Sequence, residues 1–166
     1  QKEYDGSTDA QATVVLEGRI NNDDVTGTAE VKFADKNAGT NKPLKISNVK
    51  IEGTAKDYYV APSGDINATG TILPKQLTLN MTAENKVYDG NANAVVAFTT
   101  EALPGDNITV TGSGEFADKN AGTNKTVTSK DVQVGGTDAA NYTATGSTAT
   151  ATANITPKDI ELEGIT

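Results

Sequence analysis

The chain has no cysteine, no histidine and no tryptophan. The first absence excludes disulfides, on which small secreted domains commonly lean, and thiol nucleophiles. The second removes the commonest general base and a common zinc ligand, and with them the usual catalytic triads. Aromatics are limited to five Tyr and three Phe, and there is one Met. Methyl groups of Val, Ile, Leu, Ala and Thr must therefore fill any core. A basic excess is also missing: the net charge is −8. Such a balance argues against a nucleic-acid partner, which needs a cationic face to displace counterions. It also disfavours anionic membrane surfaces. No apolar run reaches the length of a membrane span, so no membrane insertion is expected. No leader-like segment opens the sequence, so any export signal is expected outside it.

What is present is β-like. Alternating and β-branched stretches dominate, and the 3.6-residue helical period is absent. Hydrophobic residues make up 36% of the 166 residues, with 16 Gly. That suffices for two small cores of marginal size. A cysteine-free chain rich in Thr, Asn, Asp and Gly has the composition of a bacterial surface protein.

An internal repeat settles the organisation. The run Phe33-Ala-Asp-Lys-Asn-Ala-Gly-Thr-Asn-Lys42 recurs unchanged as Phe116 to Lys125, 83 residues on. The same offset pairs Gly53 with Gly136, Tyr59 with Tyr142 and Pro74 with Pro157. Upstream the offset becomes 84, so that Lys2-Glu-Tyr-Asp-Gly6 matches Lys86-Val-Tyr-Asp-Gly90. The expected domains are residues 1–82 and 83–166. The alternative boundary lies near 75/76, with 159–166 as the first strand of a following repeat. The stretch Leu77 to Met81 decides between them, since it can close the first copy or open the second. In the second case Ile160 to Ile165 is an orphan edge that invites head-to-tail pairing.

In the second copy Ala94 to Thr99, Asn107 to Thr111, Gly114 to Ala117 and Thr126 to Val134 read as strands. Asn141 to Thr145 and Ser147 to Ile155 read as a hairpin turning near Gly146. Turn signals recur about every 8–12 residues, as in all-β sandwiches. The fold expected is all-β: two tandem small sandwiches, immunoglobulin-like, arranged end to end. A β-grasp-like or other small mixed sheet is the alternative. Asp138-Ala-Ala-Asn-Tyr142 has the spacing of a tyrosine corner, whose hydroxyl bonds back to nearby backbone. The first copy keeps Tyr59 but has Ala55 and Asp57 in place of Asp138 and Ala140.

The candidate motifs each carry a structural reading and a sharper one. Tyr4-Asp5-Gly6 and Tyr88-Asp89-Gly90 read as a turn beneath an aromatic plug, since Gly accepts positive φ and Asp bonds the following backbone. The sharper reading is a ligand-facing aromatic beside a carboxylate. The polar decapeptide reads as a shaped loop. Its Asp35 and Asn37, and Asp118 and Asn120, could offer oxygens to calcium, with Asp23 and Asp106 in a second acidic turn. One carboxylate per loop is few for such a site, and no cofactor is expected. Sequons such as Asn67-Ala-Thr69 follow from composition. A Lys–Asn isopeptide cross-link would need buried Lys and Asn beside a carboxylate, and the duplicated ones sit in loops. The duplicated acids Asp5/Asp89, Asp23/Asp106 and Asp35/Asp118 all fall in turns, which disfavours a carboxylate-pair enzyme.

Lys-x-Tyr-Asp-Gly, the decapeptide, then Asn-Tyr and Ile-Thr-Pro-Lys together resemble the YDG repeat. It is related to the glycine-rich mostly-beta repeats of large bacterial surface proteins, including filamentous-haemagglutinin-like adhesins. The first copy departs from the pattern at Ile72-Leu-Pro-Lys75 and Asp57-Tyr-Tyr59. The resemblance implies an extracellular, cell-surface location and a structural role in cell adhesion, without catalytic residues. The function expected is a stalk or spacer module, monomeric, whose partners are neighbouring repeats. The alternative is a binding module for a host glycan or protein, with Tyr58 as the contact.

Overall fold

β-Branched and alternating residues build strands throughout, because a pleated, half-buried surface suits them. The structure, a computed structural model, describes residues 1–64, 66–144 and 148–164. It divides into two compact units, Gln1–Lys75 and Gln76–Thr166. The fold is all-β. Among the described residues the only helical pieces are two 3-10 turns, at Lys56–Tyr58 and Ala139–Asn141.

The first unit holds β1 (Lys2–Glu3), β2 (Thr26–Phe33), β3 (Gly39–Glu52) and β4 (Ala68–Leu73) in one sheet of order β1-β4-β3-β2. The pair β1·β4 is parallel, with Lys2 opposite Ile72, and the other pairs are antiparallel. Strand β5 (Lys75–Gln76) lies at the border. The second unit holds β6 (Leu79–Ala83), β7 (Lys86–Val87), β8 (Asn93–Ala94), β9 (Val96–Thr100), β10 (Thr109–Phe116), β11 (Gly122–Gly135), β12 (Tyr142–Thr143) and β13 (Thr150–Thr156). Its main sheet runs β7-β13-β11-β10-β8, again with a parallel outer pair, β7·β13. Both main sheets are therefore mixed. A second, antiparallel pair, β6·β9, completes the unit.

The border at 75/76 follows from that last pair. Leu79 to Ala83 lies opposite Thr100 to Val96, so the strand belongs to the second unit by its hydrogen bonds. Its alternation is as read: Leu77 and Met81 are buried, and Leu79 packs beside them. Leu162, its counterpart in the tail, is exposed and in no strand.

Other sequence expectations shift in detail. Asn107 to Thr111 and Gly114 to Ala117 merge into β10, whose ladder is interrupted by a bulge between Thr111 and Ser113. Gly112 at the bulge mimics a turn in sequence, although the strand continues past it. The polar decapeptide is only half loop. From Gly39 and from Gly122 the chain is already in a ladder, against Ile72 and Ile155. The turn expected near Gly146 lies outside the described residues. Strand β13 is flanked by β11 and β7, so Tyr142–Thr143 is not its hairpin partner.

The second core gathers Met81, Phe116, Val127, Ala153 and Ile155, flanked by Val96 and Phe98. The first buries Tyr4, Val25, Phe33 and Ile72. It is the leaner of the two. Leu44 and Ile46 are only half-buried, whereas their counterparts Val127 and Ser129 are almost completely enclosed.

Candidate functional site

Three polar constellations recur in both units. The first is the Lys-x-Tyr-Asp-Gly corner. Gly6 and Gly90 take φ of 77° and 85°, left-handed values that suit glycine. The preceding Asp turns back on the chain: Asp5 Oδ1 accepts the Ser7 N–H at 2.9 Å, and Asp89 Oδ1 accepts the Asn91 N–H at 3.1 Å. The lysine closes the turn. Lys2 Nζ donates to Asp5 Oδ1 (2.6 Å), the Ser7 carbonyl and the Ser7 hydroxyl. Lys86 Nζ donates to Asp89 Oδ1 (2.8 Å), to both oxygens of Asn91 and to the Asn93 carbonyl. Each ammonium also lies over an aromatic ring, Phe33 at 6.0 Å and Phe116 at 5.7 Å, a geometry that adds cation–π attraction. The Lys2 bond, helped by the Ser7 amide, lowers the Asp5 carboxyl to about 2, and Lys86 likewise lowers that of Asp89. Tyr4 beneath the corner is 1% exposed, the plug that the sequence suggested; Tyr88 is half-buried.

The second is the decapeptide. Asp35 Oδ1 accepts the Asn37 N–H (2.8 Å) and Lys42 Nζ (2.7 Å). Asp118 Oδ1 accepts the Asn120 N–H (2.7 Å) and Lys125 Nζ (2.6 Å). Asn41 and Asn124 bend the chain back at φ near 50°, a conformation Asn tolerates. Both carboxyls are held below their ordinary value, first by the lysine and then by the turn amide. An internal ammonium thus stands where the calcium reading needs a cation. Among the described residues no three acidic side chains gather closely enough to hold a metal.

The third joins residues that the sequence treated separately. The Tyr59 hydroxyl donates to Asp23 Oδ2 (2.7 Å) and accepts the Ile20 N–H (2.9 Å), partners 36 and 39 residues upstream. The Tyr142 hydroxyl repeats this on Asp106 Oδ2 (2.7 Å) and the Leu103 N–H (2.8 Å), at the same separations. The expected corner therefore exists as a backbone-bonded tyrosine, but it is long-range. It pins the loop before β2 or β10, rather than the chain just behind the Tyr. Asp23 and Asp106 serve the tyrosines. Their common separation from the Tyr in both copies was the signal in the sequence.

The altered acid beside this latch also has an account. Asp24 Oδ2 accepts the Thr54 N–H and hydroxyl, both at 3.1 Å, and is held below its usual pKa by them. In the second unit Asn107 replaces Asp24, and the carboxylate comes from the opposite side: Asp138 Oδ2 accepts the Asn107 N–H at 2.9 Å. The acid has moved across one joint without leaving it.

The latch has a measurable worth. Tyr142→Phe deletes the hydroxyl that serves a carboxylate and a backbone amide at once. Losing such a group costs about 1–3 kcal/mol. Urea unfolding should report that loss, and the Asp106→Ala, Tyr142→Phe cycle should show coupling above about 0.5 kcal/mol. Additive effects would mean that the two groups do not act as a pair.

Outside these constellations, Tyr58 stands on its 3-10 turn with 84% of its surface exposed, and its counterpart Asn141 is buried. A depression of about 550 Å³ lies beside Lys2, Asp5 and Phe33, and one of about 350 Å³ beside Lys86 and Asp89. The lysines were not singled out as site residues in the sequence, although each occupies the same place in both copies.

The YDG domain family matches the chain over residues 1–65 and 73–153. No curated protein and no solved structure matches it.

Proposed function

We propose that this chain, which belongs to the YDG domain family, is a structural stalk or spacer module of an extracellular bacterial adhesin or surface protein, and not an enzyme. One observation carries the reading. Three polar pairs that both copies share are closed within their own unit: Lys2 on Asp5, Lys42 on Asp35 and Tyr59 on Asp23, each with its twin. What was duplicated is therefore a set of internal fasteners. Repeats that hold themselves together in this way suit a linear array, in which each contacts mainly its neighbours. The β6·β9 pair beside the mixed five-stranded sheet supports an immunoglobulin-like sandwich for the second unit. The test is solution scattering on chains of two, four and six repeats. A spacer gives a maximum dimension that grows in proportion to repeat number. Growth with the square root of repeat number, as for freely jointed beads, overturns the reading.

A binding role for Tyr58 has its own support, since Tyr58 and Val60, 84% and 93% exposed, lie two residues apart, and adjoining exposed apolar side chains suit a binding surface better than single ones. Glycan or host-protein binding that disappears in Tyr58→Ala would favour it.

A further inference from the structure

The chain enters and leaves the main sheet of each unit on neighbouring, parallel strands. In the first unit β1 lies on β4, with Lys2 opposite Ile72 and Glu3 opposite Leu73. In the second β7 lies on β13, with Lys86 opposite Ile155 and Val87 opposite Thr156. Each ladder continues one bond past the entering strand. The Tyr4 N–H donates to the Leu73 carbonyl, and the Tyr88 N–H to the Thr156 carbonyl, both at 2.8 Å. The other pairs in both main sheets are antiparallel.

This direction matters when the chain is stretched. Tension draws the entering strand toward its N-terminal end and the leaving strand toward its C-terminal end. In a parallel pair those two ends lie at opposite ends of the ladder, so the strands are pulled along each other. Parallel ladder bonds are evenly spaced, and sliding strains them together. In an antiparallel pair both load points would sit at one end, and the bonds would open singly from there.

Side chains lengthen both ladders. In the second unit Asn85 Oδ1 accepts the Asn154 N–H at 2.7 Å, one step before β7. In the first unit Lys75 Nζ donates to Glu3 Oε1 at 3.1 Å, just past the end of β4. The leaving strands are also held from their other side, because β4 lies between β1 and β3, and β13 between β7 and β11. In the second unit the load must in addition pass β6, which is paired along its length with β9, before it reaches β7.

We infer that the parallel pair of each unit is a tension clamp, and that the repeat carries mechanical load along the chain. This goes beyond the spacer reading, which concerns length alone. It needs only that tension enters ahead of β1 or β7 and leaves after β4 or β13. Repeats that scatter as freely jointed beads would leave the clamp standing, and a weak clamp would leave the spacer standing.

Single-molecule stretching at constant force tests the clamp. The chain has no cysteine to compete with introduced anchors. Lys75→Cys with Thr166→Cys loads the second unit lengthwise. Lys119→Cys with Thr166→Cys loads it crosswise, because Lys119 lies just before Gly122, which is opposite Ile155 near the end of β13. Forced unfolding reports the unfolding rate. At the same force the lengthwise rate should be lower by about tenfold or more, since several bonds must break in one step and each is worth a factor of about five. Asn85→Ala, at an exposed position, removes one of those bonds. It should raise the lengthwise rate about fivefold. It should change the crosswise rate by less than about twofold, because peeling from the end of β13 meets that bond only after its barrier. A unit that yields as fast lengthwise as crosswise overturns the proposal. So does an Asn85→Ala effect of equal size in both directions, which marks a general loss of stability.

Discussion

Phe116→Ala is expected to lower the stability of the second unit by about 3–5 kcal/mol. Phe116 is 2% exposed, at the end of β10, and packs against Val127 and Ile155 in the cluster that β6 closes. The large neighbours Met81, Tyr88 and Phe98 already pack in or against this cluster, so one that moved into the space would vacate its own. The ring is also the surface on which the Lys86 ammonium rests, so its loss loosens the Tyr-Asp-Gly corner from below. For a unit of this size each kcal/mol moves the melting temperature by about 4–8 °C, which predicts a fall of roughly 12–40 °C. Calorimetry should show the transition of the second unit moving while that of the first stays near its original place. A shift under about 5 °C would mean that the core relaxes around the lost ring.

The second large effect is expected at a glycine. Gly136 sits at φ +105°, in a region that side chains rarely adopt, and a β-carbon there would press into the Asn107 carbonyl. Backbone at that point cannot swing aside, because the Asn107 N–H is held by Asp138 and its carbonyl receives the Asp138 N–H. Gly136→Ala should therefore cost about 3 kcal/mol or more, combining conformational strain with a backbone clash. Gly105→Ala is the matched control. Gly105 has a similar φ of 92° but nothing within 4 Å of the added carbon, so it carries the strain alone, about 1–2 kcal/mol. If the two variants unfold at the same denaturant concentration, the close approach at Asn107 contributes nothing. Gly53 occupies the same place against Asp24 in the first unit, and its substitution should behave like that of Gly136.

Both predictions rest on features of unequal visibility in the sequence. Phe116 and Gly136 are duplicated as Phe33 and Gly53, so repetition alone marks them as part of the unit. The reason for each differs. Phe33 and Phe116 mark the start of the repeated decapeptide in the sequence, and the structure shows them buried. Repetition separates Gly136 from Gly105, whose counterpart is Asn22, but the physical reason, the Asn107 carbonyl across the joint, is not local. The tyrosine latch is similar. Tyr59 and Tyr142 stand out in the sequence, as do Asp23 and Asp106, but in separate motifs. Their contact spans 36 residues, and no rule of local spacing reaches that far. The pairing of Asp35 and Asp118 with their lysines is hidden in the sequence for a related reason. Lys42 and Lys125 are seven residues on, and they meet the acid only because the intervening chain doubles back through a left-handed Asn.

The sequence by itself determined that there are two copies of one β unit and that its turns lie at Tyr-Asp-Gly and at the decapeptide. Those conclusions follow from exact repetition and from the local chemistry of Gly, Asn and Asp, which act within a few bonds of where they stand. Only the tertiary structure decided which unit owns Leu79 to Ala83, and which acid meets which tyrosine or lysine. Alternation reveals that a strand has a face to bury, but it does not say which sheet will bury it. That choice belongs to partners distant in the chain, and here it sets Leu79 to Ala83 against Val96 to Thr100.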